Sequence, residues 1–315
     1  MHPARHDPGF RSRREFLVAG LGGAVAGGVA ATALAEGDAT LEIIDAHTHF
    51  FDPTRPEGVP FPSKNDKVLY RPILPDEFRK LAEPHGVVGT VVVEASPWLE
   101  DNQWLLNLAA KDRYVVGIVG NLDPRADDFK KHVRRFAANP LFRGIRMSVD
   151  RIAEGLQRDL VDRCKLLVDH DLELDVNGAG VGVAPKVAAL ARAVPDLRIV
   201  INHCANIGVN GKEPPAGYRE GMAEAAGCAK VYCKVSALRA EKSVDFYRPL
   251  LDTLWGCFGE DRLVFGSNWP VDNRDDAFGT VIDSLRGYFA EKGPVATRKF
   301  FHDNSQAAYA WRRLH

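Results

Sequence analysis

Ile43-Ile44-Asp45-Ala46-His47-Thr48-His49-Phe50 begins as an apolar run and ends in two histidines two residues apart. Neighbours at that spacing on a strand point the same way, so both imidazoles reach one point. If the run is the first strand of a barrel, the pair stands at its C-terminal rim, where barrel enzymes carry their chemistry. Two neutral imidazoles aimed at one point are a start on a site for a divalent metal.

Outward from this stretch, short β-branched runs recur at Leu41–Ala46, Val87–Glu94, Tyr114–Gly120, Phe142–Met147, Leu172–Val176, Arg198–Asn202, Val231–Val235 and Arg262–Phe265. Between and after them, helical spacing is found at Asp76–Glu83, Asp101–Lys111, Ala126–Ala138, Gln157–Asp169, Ala184–Ala193, Glu220–Ala229, Val244–Phe258 and Ala277–Ala290. Strand and helix alternate, which is the pattern of parallel strands joined by crossover helices. Eight such units predict an α/β fold, a closed (β/α)8 TIM barrel. An open doubly wound sheet would carry a glycine-rich phosphate loop after its first strand, and none follows Ile43–Phe50. Asn177-Gly178-Ala179-Gly180-Val181-Gly182 comes after the fifth strand and reads as a barrel loop. The long proline-rich connection from Phe51 to Pro75 is placed over the mouth.

Other strand ends add to the rim. Glu94 closes the second run and His203 the sixth, so a carboxylate and a third imidazole join the first pair as metal ligands, His47, His49, His203 and Glu94. An ion pair with a neighbouring Arg or Lys is the alternative for Glu94. Arg146 ends the fourth run, and its planar fork suits a carboxylate or a polarised carbonyl. Lys234 on the seventh strand and Trp269 after the eighth are further candidates for holding substrate, with burial in the barrel or core as the competing role for each.

The full chain has 315 residues with 41 Lys and Arg against 42 Asp and Glu, a formal charge of -1. That balance offers no global field for nucleic acid and leaves a small molecule as the expected partner. Five scattered cysteines, Cys164, Cys204, Cys228, Cys233 and Cys257, form no C-x-x-C pair and suggest neither a disulfide framework nor a zinc knuckle. Arg13-Arg14-Glu15-Phe16-Leu17, the apolar run Val18–Ala35 and the small residues Ala33-Leu34-Ala35 resemble a twin-arginine signal peptide with its cleavage site. Residues 1–35 are accordingly expected to be the signal and 36–315 the barrel, exported already folded to the periplasm by the twin-arginine machinery.

His-x-His after the first strand, a lone His after the sixth, Phe142-Arg143-Gly144-Ile145-Arg146-Met147 on the fourth and Phe265-Gly266-Ser267-Asn268-Trp269-Pro270-Val271 after the eighth resemble amidohydrolase family 2. The similarity runs from Ile43 to Tyr309. It is nearest the branch of metal-dependent hydrolases that includes sugar-acid lactonases and 2-pyrone-4,6-dicarboxylate lactonase. The resemblance implies hydrolysis of a small lactone and a divalent metal, zinc first, although pyrone-dicarboxylate lactonases imply a metal-free site. In that family the eighth strand usually ends Gly-Ser-Asp, with the aspartate as base. Here Asn268 holds the position, and an amide cannot take a proton at neutral pH.

Three readings stand for the catalytic residues: Asp272, four residues on from Asn268, or Glu94 is the base; His203 is the base; or the barrel binds a ligand without turning it over. Decarboxylation of a small aromatic acid is the rival chemistry.

Overall fold

The computed structural model describes residues 41–313 apart from 157–158, 241–242, 273 and 275. The expected signal, its cleavage site and the boundary after residue 35 lie outside the described residues. Eight parallel strands pair in sequence order: β1 (Ile43–Thr48), β2 (Val87–Val93), β3 (Val115–Gly120), β4 (Phe142–Ser148), β5 (Glu173–Asn177), β6 (Ile199–Ile201), β7 (Val231–Val235) and β8 (Leu263–Phe265). The ring closes between β1 and the residues after β8. Thr48 bridges Trp269 in parallel, the His49 N–H donates to the Trp269 carbonyl (2.9 Å) and the Asn268 N–H to the His47 carbonyl (2.9 Å). The TIM barrel read from the sequence is therefore the observed fold.

The helices between strands are α1 (Pro75–Ala82), α2 (Leu99–Ala109), α3 (Phe129–Ala137), α4 (Val149–Gly155), α5 (Leu160–Asp169), α6 (Val183–Ala193), α7 (Tyr218–Ala226) and α8 (Val244–Phe258). After β8 come α9 (Asp276–Lys292), α10 (Pro294–Arg298) and α11 (Asn304–Tyr309). α3 illustrates the local logic. Phe129, Val133 and Phe136 recur on one face and are buried, while Lys130, Lys131, Arg134 and Arg135 face water. Burying each of the three contributes about 1.5–3 kcal/mol. α4 is absent from the sequence reading. It follows β4 directly because the Ser148 hydroxyl caps it, accepting the Asp150 N–H (3.4 Å).

Apolar strand residues divide between two cores. Leu174, Val176, Ile199 and Ile201 pack outward with the helices, whereas Ile44, Val91, Val93, Val116, Val200 and Val264 fill the barrel with Ala308, Tyr309 and Trp311. Those last three residues stop the base of the barrel. Arg143 Nε donates to the Tyr309 carbonyl (3.0 Å), Arg198 Nε to the Ala308 carbonyl (2.8 Å) and the Arg312 N–H to the Val116 carbonyl (2.9 Å).

Above the stopper the interior turns polar. The Tyr309 hydroxyl donates to Asp175 Oδ1 (2.8 Å), and Lys234 Nζ donates to Asp175 Oδ2 (2.7 Å) with neither ionic side chain exposed. Glu173, one step down β5 from Asp175, is fully buried, and neither of its carboxyl oxygens has a partner among the described residues. Room for that carboxyl comes from Gly144, its register partner on β4. A Cβ on Gly144 would stand 2.1 Å from Glu173 Oε1 and 2.7 Å from the Glu173 carbonyl.

Gly144→Ala should destabilise the fold by about 1–3 kcal/mol in urea titration, through overpacking against backbone that cannot give. Burial, with Asp175 beside it, pushes the Glu173 carboxyl well above the usual carboxylate range. The folded protein thus keeps a proton that the unfolded chain releases. Stability from this group is full below the ordinary glutamate pKa and falls as pH rises above it. Glu173→Gln cannot ionise, so its urea midpoint relative to the parent should climb as pH rises from about 5 through neutrality. A difference that stays constant across that range means that Glu173 is ionised in the fold.

Candidate functional site at the barrel mouth

Three imidazoles converge where the sequence placed them. The His47 ring lies 4.9 Å from that of His49 and 4.4 Å from that of His203, centroid to centroid. His47 and His49 share a direction because they stand two apart at the end of β1, whose register with β2 is irregular between Asp45 and Thr48. Asp45 holds that irregularity: its Oδ1 accepts the N–H of His47 (3.0 Å) and the N–H of Ser267 (2.9 Å), tying the end of β1 to the end of β8. Burial pushes the Asp45 carboxyl up to about 6, against those hydrogen bonds. Sequence reasoning gave Asp45 no role. The available signal was a carboxylate inside an otherwise apolar strand, two residues before the first histidine.

His203 is aimed by its backbone. After β6, His203, Cys204, Ala205 and Asn206 have φ of 55°, 51°, 59° and 47°, a left-handed turn made without glycine. Each such residue costs roughly 1–2 kcal/mol, so the turn persists only where surroundings impose it. The Asn177–Gly182 loop does so. Gly180 N–H donates to the Ala205 carbonyl (2.8 Å) and Asn206 Nδ2 to the Gly178 carbonyl (2.8 Å), while the Tyr218 hydroxyl holds the Cys204 carbonyl (3.0 Å). Ser236 on the residue after β7 lies 2.9 Å from His203 Nδ1 and fixes the ring.

Hydrogen bonds set which ring nitrogens carry protons. Val93 presents a carbonyl, which only accepts, 2.9 Å from His49 Nδ1, so that nitrogen carries the proton and Nε2 is the lone pair. His47 Nε2 lies 3.2 Å from that lone pair and donates to it. His47 Nδ1 is then an acceptor, and Lys234 Nζ donates to it at 3.1 Å. Burial lowers all three imidazoles, His49 to about 3, with Arg146 or Lys234 adding charge repulsion. They are neutral at physiological pH.

The remaining candidates part company. Glu94 is taken up by Arg146, whose Nε donates to Glu94 Oε1 (2.8 Å) and Nη2 to the Glu94 carbonyl (2.8 Å). This is the ion pair that the sequence left open for Glu94. Lys234 is wholly buried between Asp175 and His47, so it does not touch substrate. Trp269 is buried against Phe50 and Phe78 and offers no ring face to a ligand. Asn268, at φ 62°, sets Oδ1 3.2 Å from His49 Nε2 and donates from Nδ2 to Asp272 Oδ2 (2.9 Å). Asp272 in turn donates its N–H to the Asn268 carbonyl (3.0 Å). A cleft of about 560 Å³ opens at this point, lined by His203, Asn206, Ser236, Arg239, Phe246 and Asp272.

A divalent metal was expected on the three imidazoles. Zinc asks for three or four unprotonated donors at one point, but the proton on His47 Nε2 removes one. Among the described residues no three His, Cys, Asp or Glu side chains form a ready cage. His47 Nε2 and Asn268 Oδ1 each lie 3.2 Å from His49 Nε2, so a divalent cation would be held by two imidazoles and an amide oxygen, displace the His47 proton, and polarise a bound carbonyl or water.

Comparisons with known proteins agree with the geometry. The sequence profile of a family described as Amidohydrolase matches residues 44–311. The L-fucono-1,5-lactonase of Burkholderia ambifaria is 32% identical over 243 residues, covering 75% of this chain and 83% of that one. An amidohydrolase from Burkholderia multivorans, solved with zinc bound, superposes with a TM-score of 0.73 at 24% identity, over 86% of this chain and 99% of that one. The 5-carboxyvanillate decarboxylase of Sphingomonas paucimobilis, at 10% identity and a TM-score of 0.60 over 86% of this chain and 100% of that one, shares the fold alone. With its barrel, its strand-end histidines and a match over most of its length, this chain belongs to the amidohydrolase family.

Proposed function

We propose that the chain hydrolyses a small cyclic ester, a sugar-acid lactone, by direct attack of water. The observation that carries the reading is a carboxylate, Asp272, fixed by Asn268 at the wall of a cleft large enough for a hexose-sized ring. Similarity to a lactonase supports the substrate class. Asp272 takes a proton from water as the water oxygen bonds to the lactone carbonyl carbon. The carbonyl oxygen gains negative charge, and Arg146 answers it. Its Nη1 has no hydrogen-bond partner among the described residues, and its charge is felt at His47, His49 and His203. Collapse breaks the ring carbon–oxygen bond, the proton passes to the departing alkoxide, and an open-chain hydroxy acid leaves. Zinc, held by the solved relative, is given no step in this scheme.

Asn268 replaces the family's usual aspartate without ending hydrolysis, because its amide holds a carboxylate beside the site. In a panel of aldonolactones followed by acid release, the parent should turn over at least one member. Asp272→Asn should lower kcat by about 100-fold or more with KM little changed. A parent inert towards the whole panel, or an Asp272→Asn variant at full rate, rejects the assignment.

The barrel is also proposed to work in the periplasm after export through the twin-arginine route. Arg13-Arg14 and the small residues before Glu36 support this. Cell fractionation should find a mature form starting near Glu36 outside the cytoplasm. Replacing both arginines with lysine should leave the full-length chain inside, and export unchanged by that replacement counts against the route.

A further inference from the structure

The long connection from Phe51 to Pro75 is closed at its neck by Phe51 and Ile73, whose backbones exchange N–H groups at 3.1 and 2.9 Å. Inside it stands Arg55, a guanidinium sunk until only 8% of the side chain is exposed. Two of its three nitrogens are taken. Nη1 donates to Asp101 Oδ1 on α2 (2.9 Å) and Nη2 to the Gly58 carbonyl (3.0 Å), with the group lying 4.7 Å over the Trp104 ring. Nε is buried and has no hydrogen-bond acceptor among the described residues. Glu57 Oε1 stands 3.7 Å from it, beyond hydrogen-bond reach and on a side chain 56% exposed. A buried donor left unmatched is costly, so folded proteins ordinarily supply it with a partner.

Room for a partner lies beside it. Arg55 forms part of the wall of a cavity of about 20 Å³, together with Glu94, Ser96, Phe51 and Phe61, whereas Glu57 does not line it. One water needs roughly 10–15 Å³ and at least two polar neighbours, so the cavity takes one. Glu94 gives Oε1 to Arg146 Nε (2.8 Å), and its Oε2 is without a partner among the described residues. We propose that Arg55 is a positioning residue that grips Glu94 through one ordered water in this cavity, so that the Phe51–Pro75 connection fixes the aim of Arg146. Arg55 Nε donates to the water and the water donates to the Glu94 carboxylate. Glu94 in turn holds Arg146 by Oε1 and by its carbonyl. The connection over the mouth is then joined, through its buried cation, to the guanidinium that answers the lactone carbonyl. That last link rests on the proposed hydrolysis; the water and the hold on Arg146 do not.

A high-resolution crystal structure of the parent should show one ordered water within hydrogen-bond reach of both Arg55 Nε and the Glu94 carboxylate, and a pair without that water overturns the proposal. Arg55→Lys keeps a charge for Asp101 and loses Nε. In crystals of this variant Arg146 should turn away from Glu94 Oε1; an unmoved Arg146 overturns the proposal. On a lactone that the parent turns over, Arg55→Lys should lower kcat about tenfold with KM little changed, while Glu57→Gln leaves both where they were. A loss in Glu57→Gln equal to that in Arg55→Lys puts the water on Glu57 and rejects the assignment. Glu94→Gln separates positioning from packing: in that background Arg55→Lys should cost less than about twofold in kcat, and a full tenfold cost there means that Arg55 acts without Glu94. A parent inert towards every lactone ends the proposed hydrolysis and leaves the two crystal structures to decide this inference. If Arg55→Lys does not fold, the water in the parent structure decides alone.

Discussion

Two backbone hydrogen bonds at the seam between β1 and the end of β8 govern this molecule. One runs from His49 to the Trp269 carbonyl and the other from Asn268 to the His47 carbonyl. Without them the eight strands are an open sheet with two raw edges. Because the bonding residues are themselves the histidine pair and Asn268, sealing the ring and assembling the site are one event. Asp45 reinforces the same seam from its side chain, taking N–H groups from both strands into one carboxylate. The backbone that makes the barrel cylindrical therefore also sets Asn268 against His49, and through Asn268 it sets Asp272 at the cleft.

Below the seam the barrel departs from the usual filling of branched apolar side chains. β5 and β7 point Glu173, Asp175 and Lys234 inward. Burying ions is expensive unless partners are well placed. Asp175 and Lys234 meet that condition with each other, Tyr309 and His47, while Glu173 avoids the cost by holding its proton. Such an arrangement has a rigid donor sequence. The rim above it is polar, with left-handed backbone at the turn bearing His203, at Ala237 and at Asn268.

Much of this was legible in the sequence, and the limits have physical causes. Strand runs were placed within two residues because parallel strands covered on both faces read as unbroken apolar stretches. The convergence of His47, His49 and His203 followed from spacing and strand ends. Glu94 and Arg146 are 52 residues apart, and Lys234 and Asp175 are 59 apart. Glu94, Arg146 and Lys234 were visible as charges on strands, but which charge meets which depends on register around the ring, which no local pattern carries. The turn at His203 runs through Cys204 and Ala205, which have no preference for left-handed backbone, so nothing local announces four such residues in a row. The Asn177–Gly182 loop looked like a passive connection because its partner, that turn, was itself invisible.

The stopper at the barrel's base has a consequence for how the protein is made. Ala308, Tyr309 and Trp311 belong to the interior core, and Tyr309 holds Asp175. They follow all eight strands in the chain, so a ribosome delivers them after every strand. Every strand can therefore emerge and pair while the lumen is still floorless, with the Lys234–Asp175 pair open to water from beneath. Consolidation of the interior must wait for residues made after β8, so the floor is laid only once all eight strands exist.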